Sequence, residues 1–292
     1  MKKAFRVAGH LFALEMPDRY PLWDLMEQYA PFEVPLSEKS AVFSLELVPS
    51  LEETEKVPVY TDVPEEEGQS RIELYRTPSG WRFEMAPTAR ARTCCRLDAD
   101  ETFTRARLAI VPERRNALFA LNNSLMVLYA FRTAGMGTLE MHASVVVKDG
   151  KGYLFLGKSG TGKSTHSRQW LECFPDAELL NDDNPVLRVG EDGAVRVYGS
   201  PWSGKTPCYR NLDAPVGAIV RIRQCPENKA ERLSVFEAYA SVYSSCSGLK
   251  SERSIADGLH ASLEQVVLNV PCFVLDCRPD HEAAEVCYEA VR

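Results

Sequence analysis

The nine residues Gly157-Lys158-Ser159-Gly160-Thr161-Gly162-Lys163-Ser164-Thr165 carry the densest chemistry in this chain. Their form is G-x-x-x-x-G-K-S, a loop that turns successive backbone N–H groups onto one phosphate. Gly157, Gly160 and Gly162 permit the turn, since a glycine has no Cβ to bar a left-handed backbone or the close approach of an anion. Ser159, Thr161 and Thr165 complete the set of residues placed to cradle a nucleotide. Lys163 is spaced to reach the β- and γ-phosphates of ATP, and the Ser164 hydroxyl to ligate Mg²⁺.

A second group lies at Asp182 and Asp183. They follow Ser164 so closely that one helix and one strand are all that fit between. The spacing predicts a strand beside the loop strand, with both carboxylates near the γ-phosphate. One would hold Mg²⁺ and the other take a proton from an attacking hydroxyl. Ser164 and Asp183 are the candidate metal ligands, and both aspartates remain candidates for the base. His142 sits on the strand ahead of the loop strand; if the two form a hairpin, it reaches the same place and orients an aspartate. The stretch from Tyr198 to Pro207 reads as a second loop facing substrate. In it Lys205 would contact a phosphate or carboxylate, Gly199 and Gly204 would admit close backbone, and Trp202 would belong to the core. Arg210, Arg221, Arg223 and Arg232 are further candidates to stabilise phosphate charge.

The elements that must position these residues follow from periodicity and turn chemistry. Residues 152–156 form an apolar run suited to a buried strand, and 163–174 read as a helix whose N-terminal dipole end faces the loop. Upstream, 139–148 reads as one strand holding His142, closed by the tight turn Asp149-Gly150. Downstream, strands are predicted at 178–181, 186–189, 194–198, 216–222 and 272–275, with helices at 234–242, 255–267 and 280–291. The first hundred or so residues are β-rich. Residues 5–14 partly alternate, 41–47 alternate with Val42 or Phe43 setting the buried face, and 71–75 with 81–85 flank the hairpin signal Thr77-Pro78-Ser79-Gly80. Residues 22–29 read as a short helix, and the acidic run 64–68 as a solvated loop. Leu118, Leu121, Leu125, Leu128 and Tyr129 recur at helical spacing and predict a helix over 116–133. The expected organisation is a β-rich unit at 1–112 followed by a nucleotide-binding domain at 113–292. The fold class is α/β in the broad α+β sense, with a mixed sheet.

Composition narrows the partners. A net charge of −7 argues against a nucleic-acid binder, which needs a basic surface to neutralise phosphates. No run approaches the ~18 apolar residues of a membrane span, and Arg6 and His10 interrupt the apolar stretch after Met1-Lys2-Lys3 that a secretion signal would need. The nine cysteines include no C-x-x-C pair and no zinc-ligand spacing, which fits reduced thiols in a cytoplasmic protein.

With the loop, the Asp pair and the upstream histidine in place, the chain resembles the HPr kinase/phosphorylase family, which shares a fold with ATP-dependent phosphoenolpyruvate carboxykinases. The resemblance spans roughly residues 138–280. It rests on His142-Ala143-Ser144, the loop 157–165, Leu180-Asn181-Asp182-Asp183, the strand 195–199, Ala218-Ile219-Val220-Arg221-Ile222, Glu231-Arg232-Leu233-Ser234 and Val270-Pro271-Cys272. It implies a P-loop domain of that type, ATP and Mg²⁺ as cofactors, and phosphoryl transfer to a hydroxyl. An aspartate of the pair, assisted by His142, would be the acid/base, and Arg232 would sit near the transferred group. It also implies homo-oligomers, common in that family. The chain departs from the pattern where the family has an acidic residue on the strand leading to Gly199; here stand Arg196-Val197-Tyr198. The loop Ser203-Gly204-Lys205-Thr206 and the N-terminal unit differ as well. A divergent relative is implied, acting on serine of a peptide or small protein other than HPr. Two alternatives stay open on the residues: a nucleotide-binding regulator without transferase activity, and a phosphoenolpyruvate carboxykinase-like enzyme. The latter needs a transition-metal site with His and Lys ligands, toward which only His142 is well placed.

Overall fold

Among the described residues, nine strands and one long helix account for most of the first part of the chain. The computed structural model describes residues 1–18, 22–36, 41–62, 70–111, 113–204 and 206–292. It separates into two units, Met1–Arg132 and Thr133–Arg292. The strands of the first unit are β1 (Lys2–Val7), β2 (His10–Glu15), β3 (Glu33–Val34), β4 (Phe43–Val48), β5 (Val57–Asp62), β6 (Arg71–Thr77), β7 (Gly80–Ala86), β8 (Cys95–Ala99) and β9 (Arg105–Ile110). They form one mixed sheet in the order β3-β1-β2-β4-β9-β8-β7-β6-β5, parallel only where β4 meets β2 and β9.

Residues 5–14 are two strands rather than one. Ala8 (φ 46°) and Gly9 (φ 81°) turn the chain so that Val7 pairs with His10. Two left-handed residues make a hairpin turn, and the usual Asn-Gly signal is absent because alanine occupies the first position. The short helix read at 22–29 is instead a pair of 3₁₀ turns, Trp23–Leu25 and Glu27–Phe32. No side chain caps either, and Pro31 inside the second lacks the N–H that a continuing α-helix would use. Phe43, Leu45 and Leu47 face inward on β4, and the hairpin closing at Thr77 and Gly80 forms as read. The acidic run 64–68 lies outside the described residues.

The helix α1 (Arg114–Thr133) folds onto this sheet. The Tyr129 hydroxyl donates to the Val7 carbonyl at 3.1 Å and Arg132 Nε to the Val42 carbonyl at 3.0 Å. Phe131 meets Phe83 and Phe103 at ring-centroid distances of 5.8 and 5.3 Å. These contacts place α1 with the first unit, and the division falls at its last residue, C-terminal to the 112/113 boundary expected from the sequence.

The second unit contains β10 (Thr138–Glu140), β11 (Ala143–Lys148), β12 (Lys151–Leu156), α2 (Lys163–Cys173), β13 (Glu178–Asp183), β14 (Val186–Val189), β15 (Val195–Tyr198), β16 (Asp213–Gln224), β17 (Lys229–Arg232), α3 (Val235–Tyr243), α4 (Arg253–Asn269), β18 (Cys272–Cys277) and α5 (His281–Val291). Its mixed sheet runs β10-β14-β15-β16-β12-β11-β13, with β18 also on β16 and β17 on β18. Trp170 of α2 is fully buried between Phe155 of β12 and Tyr288 of α5, at 5.3 and 5.5 Å between ring centroids. The Ser144 and Ser167 hydroxyls bond at 2.6 Å and tie α2 to β11. No helix among the described residues is long and apolar enough to cross a membrane.

Two expectations are corrected here. Residues 139–148 form two strands, because the chain changes partners at Met141 and His142: β10 pairs with β14, while β11 pairs with β12 and β13. The strand leading to the aspartates lies beside β11, one place removed from the loop strand. The Asp149-Gly150 turn folds β11 back along one edge of β12, and β16 takes the other, so the chain returning from α2 finds only the outer edge of β11 free.

Gly199, where β15 ends, admits no side chain. A Cβ on Gly199 would lie 2.0 Å from the Arg210 carbonyl oxygen and 3.2 Å from that of Leu180. Gly199→Ala is expected to lower stability by about 1–3 kcal/mol, the range for overpacking a close contact, read as a drop in denaturation midpoint. An unchanged midpoint would show that the strand end is not tightly packed.

Candidate functional site

The loop between β12 and α2 has the shape that its glycines predict. Gly160 (φ 77°) and Gly162 (φ 109°) are left-handed, and no atom lies within 4 Å of where a Cβ on either would stand. These glycines therefore serve backbone conformation while leaving the crest of the loop open. The Thr161 hydroxyl and N–H both donate to the Lys158 carbonyl, at 2.7 and 3.2 Å, and fold that crest. No side chain caps α2 at Gly162, and its first turn holds no acidic residue. The first-turn N–H groups therefore stand without a side-chain cap at the positive end of the helix dipole. Ser164 is exposed there and Thr165 half-buried.

Lys163 is folded inward and only 9% exposed. Its Nζ lies 3.0 Å from the Gly157 carbonyl, 3.3 Å from the Lys158 carbonyl and 2.9 Å from His142 Nε2. Burial draws the Lys163 pKa below the usual lysine value, while the Asp183 and Asp182 carboxylates pull it back up. His142 Nδ1 in turn lies 3.0 Å from Asp183 Oδ1, and the Asn184 amide donates to Asp183 Oδ2 at 3.0 Å. The structure thus brings Lys163, His142 and Asp183 into one hydrogen-bonded line beside the loop.

Asp183 pays for that position in backbone strain. Its φ of 147° lies in a region that residues with a side chain rarely occupy, and such outliers persist where the surroundings over-determine them. Here the surroundings are the segment 199–204. Gly204 N–H and the Ser203 hydroxyl bond the Asp182 carbonyl at 2.6 and 3.2 Å, and a Cβ on Gly204 would stand 3.2 Å from Asp183 Cβ. The buried Asn181 amide donates to Ser200 Oγ at 3.2 Å and to the Trp202 carbonyl at 3.1 Å, fastening that segment to β13. Trp202 is buried, as expected. Asp182 turns the other way from its neighbour: it is 3% exposed, and its Oδ2 has no hydrogen-bond partner. Lys205 lies outside the described residues.

Of the four arginines, Arg221 is the one brought to the loop. It pairs in register with Leu156, the residue just before Gly157. Its Nε donates to Ser241 Oγ at 2.7 Å and its Nη2 to Ser244 Oγ and Ser245 Oγ, both at 2.9 Å, with a further bond to the Ser241 carbonyl. No carboxylate among the described residues pairs with it, and burial lowers its pKa. Its charge also depresses the pKa of Lys163. Lys163 has the Asp183 and Asp182 carboxylates nearby, whereas Arg221 is held by hydroxyls and a carbonyl alone, so the guanidinium is the cation of the pair that no acid neutralises. Arg232 does not join them. It is exposed at the end of the edge strand β17, separated from β12 by β18 and β16. Arg210 and Arg223 are occupied by Glu178 and Asp276, at 2.7 and 2.6 Å.

Two residues near the site carried no signal in the sequence. His166, on the first turns of α2, lines a cleft of about 580 Å³ beside Gly160 and Gly162. Burial pushes its pKa down to about 4, and the Trp170 indole N–H donates to its Nε2 at 3.0 Å. Glu140, at the end of β10, is buried with neither carboxylate oxygen bonded. Burial first, and the Asp183 charge second, raise its pKa well above the carboxylate range. The folded state therefore holds this proton more tightly than the unfolded chain. Stability from it is full below the ordinary value of 4.5 and is lost as pH rises toward the folded-state pKa. Glu140→Gln has no such loss. Its melting temperature relative to the wild type is expected to climb as pH rises above the ordinary carboxyl value of 4.5; parallel curves would refute the shift.

No protein-family model matches this chain, and no curated protein matches it in sequence. Among solved structures it is similar to an HPr(Ser) kinase/phosphatase from Coxiella burnetii, at 13% identity over 52% of this chain and 93% of that one, with a TM-score of 0.31. That is a distant, fold-level likeness to a kinase/phosphatase, too slight to assign an activity.

Proposed function

We propose that the second unit is an ATP- and Mg²⁺-dependent kinase that transfers the γ-phosphoryl group to a hydroxyl, that of serine in a peptide or small protein. The observation that carries this reading is the line Lys163–His142–Asp183 at the mouth of a glycine loop. A phosphate-binding cation, an imidazole and a carboxylate stand in a hydrogen-bonded line, a set suited to placing a phosphate beside a proton acceptor for a hydroxyl.

The residues fit the nucleotide and metal. Gly160 and Gly162 leave an open cradle, the first turn of α2 presents uncapped N–H groups, and Lys163 and Arg221 supply positive charge with no bound acid to neutralise Arg221. Among the described residues no three His, Cys, Asp or Glu side chains converge on a metal by themselves. Ser164 and Asp183 would therefore hold Mg²⁺ together with phosphate oxygens and water, as that ion commonly binds. When bound, the ion supplies charge neutralisation on the phosphates. The chain's own residues do the rest. The loop N–H groups and Lys163 orient the phosphates, Arg221 offsets charge on the transferred group, and the His142–Asp183 pair receives the proton leaving the acceptor hydroxyl.

The test is phosphotransfer from ATP to serine-containing peptides, followed by mass spectrometry, with nucleotide affinity measured separately. Asp183→Asn is expected to lower transfer by on the order of 10²-fold or more while ATP still binds, since it removes both the proposed metal ligand and the support that His142 needs for acid–base assistance. Lys163→Ala is expected to weaken ATP binding as well. ATP binding without transfer to any acceptor would favour the regulatory reading, and full activity in both Asp182→Asn and Asp183→Asn would remove the assigned base.

A further inference from the structure

We propose that Lys163 is a latch on His142, released by the nucleoside triphosphate. The acceptor hydroxyl then meets a free imidazole nitrogen only after the nucleotide has bound. This rests on the kinase reading above and adds to it an order of events and a role for one nitrogen.

The latch follows from counting donors and acceptors. A lysine ammonium has three N–H donors and no acceptor. Around Nζ stand three acceptors: the Gly157 and Lys158 carbonyls and His142 Nε2. All three protons are engaged, and Nε2 must be the accepting nitrogen of the ring. The ring proton is then on Nδ1, where Asp183 Oδ1 accepts it at 3.0 Å. The tautomer is set from both sides, by a donor that cannot accept and a carboxylate that, ionised, cannot donate.

The same lysine has a second set of acceptors waiting. In a G-x-x-x-x-G-K-S loop the lysine reaches the β- and γ-phosphates. Hydrogen bonds from an ammonium to phosphate oxygens are charge-assisted on both sides, whereas those to a carbonyl or a neutral imidazole are not. A nucleotide seated on the loop therefore draws Nζ away from Nε2. The ring need not move to profit. The His142 backbone N–H is held by the Ser245 carbonyl at 2.7 Å and Nδ1 by Asp183. With its side chain already 41% exposed, the imidazole then presents Nε2 to whatever approaches the γ-phosphate. A hydroxyl that donates a hydrogen bond to that nitrogen is aimed with its oxygen lone pairs toward phosphorus. The partner selected is a hydroxyl-bearing acceptor, engaged productively after ATP.

Diethyl pyrocarbonate acylates an unprotonated, accessible imidazole nitrogen, so carbethoxylation of His142 in the full chain reports the latch. It is followed by peptide mass spectrometry with and without a non-hydrolysable ATP analogue and Mg²⁺, and analogue binding is measured by calorimetry on the same samples. The modification rate is expected to rise on the order of tenfold with the analogue, as a charge-assisted hydrogen bond is withdrawn. In Lys163→Met it should be fast without analogue and unaffected by it. Independently of any variant's folding, ¹⁵N NMR of ring-labelled histidine, assigned through His142→Gln, should show an Nδ1–H tautomer in the nucleotide-free protein. An Nε2–H tautomer, or a rate that is unchanged or slower when the analogue binds, would overturn the latch. Failure of the analogue to bind at all would overturn the kinase reading beneath it.

Discussion

A lysine ammonium at 9% exposure needs acceptors, and the architecture around the loop is largely an answer to that need. Moving a charge out of water is expensive unless hydrogen bonds and opposite charge replace the lost solvent. Carbonyls at the loop's waist, the His142 imidazole and the more distant Asp183 and Asp182 carboxylates supply the replacement. Each comes from a different part of the chain. The carbonyls follow β12, the imidazole sits at the break between β10 and β11, and the carboxylates end β13. The sheet order β12-β11-β13 is what makes these ends adjacent, since β11 runs antiparallel to both neighbours and its beginning lies level with their ends.

That arrangement has a cost at Asp183. A strand that ended without constraint would relax to an extended φ; Asp183 instead sits at 147°. The strain survives because the segment 199–204 is pinned to β13 by Asn181, Ser203 and Gly204. The glycines of that segment are then needed for space. At Gly204 a side chain would press on the strained aspartate, and at Gly199 it would strike the Arg210 carbonyl. In the proposed kinase, this clamp on one side and the partly exposed His142–Asp183 pair on the other hold the carboxylate and the ring in place before substrate arrives.

What could be read from the residues alone was what depends on near neighbours. The glycine loop, the helix after it and the Asp149-Gly150 turn are determined within a few positions of one another, and each stands where it was expected. The approach of His142 to the loop follows from the hairpin that this turn creates, whereas its contact with Asp183 comes from the pairing of β13 with β11. Failures came where a distant strand decided the matter. The position of β13 depended on both edges of β12 being occupied, which local counting does not see. The break at Met141–His142 exists because β14 pairs with one half of the stretch and β12 with the other. Nothing in the neighbours of Glu140 along the chain announces that a carboxylate will be buried there.

The arginines show the same division between local and non-local information in the charge of the site. Arg221 and Arg232 are both close to apolar strand residues and look alike in sequence. Register separates them. Arg221 lies opposite Leu156 on a strand parallel to β12, so its guanidinium emerges at the level where the loop begins. Arg232 closes an antiparallel edge strand two strands further out. The serines at 241, 244 and 245 then become intelligible, since they follow the spacing of the end of α3 and give a guanidinium hydrogen bonds without neutralising it. A carboxylate in their place would have stabilised the same arginine more strongly and left less positive charge for an anion. The choice of hydroxyls over an acid leaves the Arg221 charge without a neutralising partner within a chain whose net charge is −7.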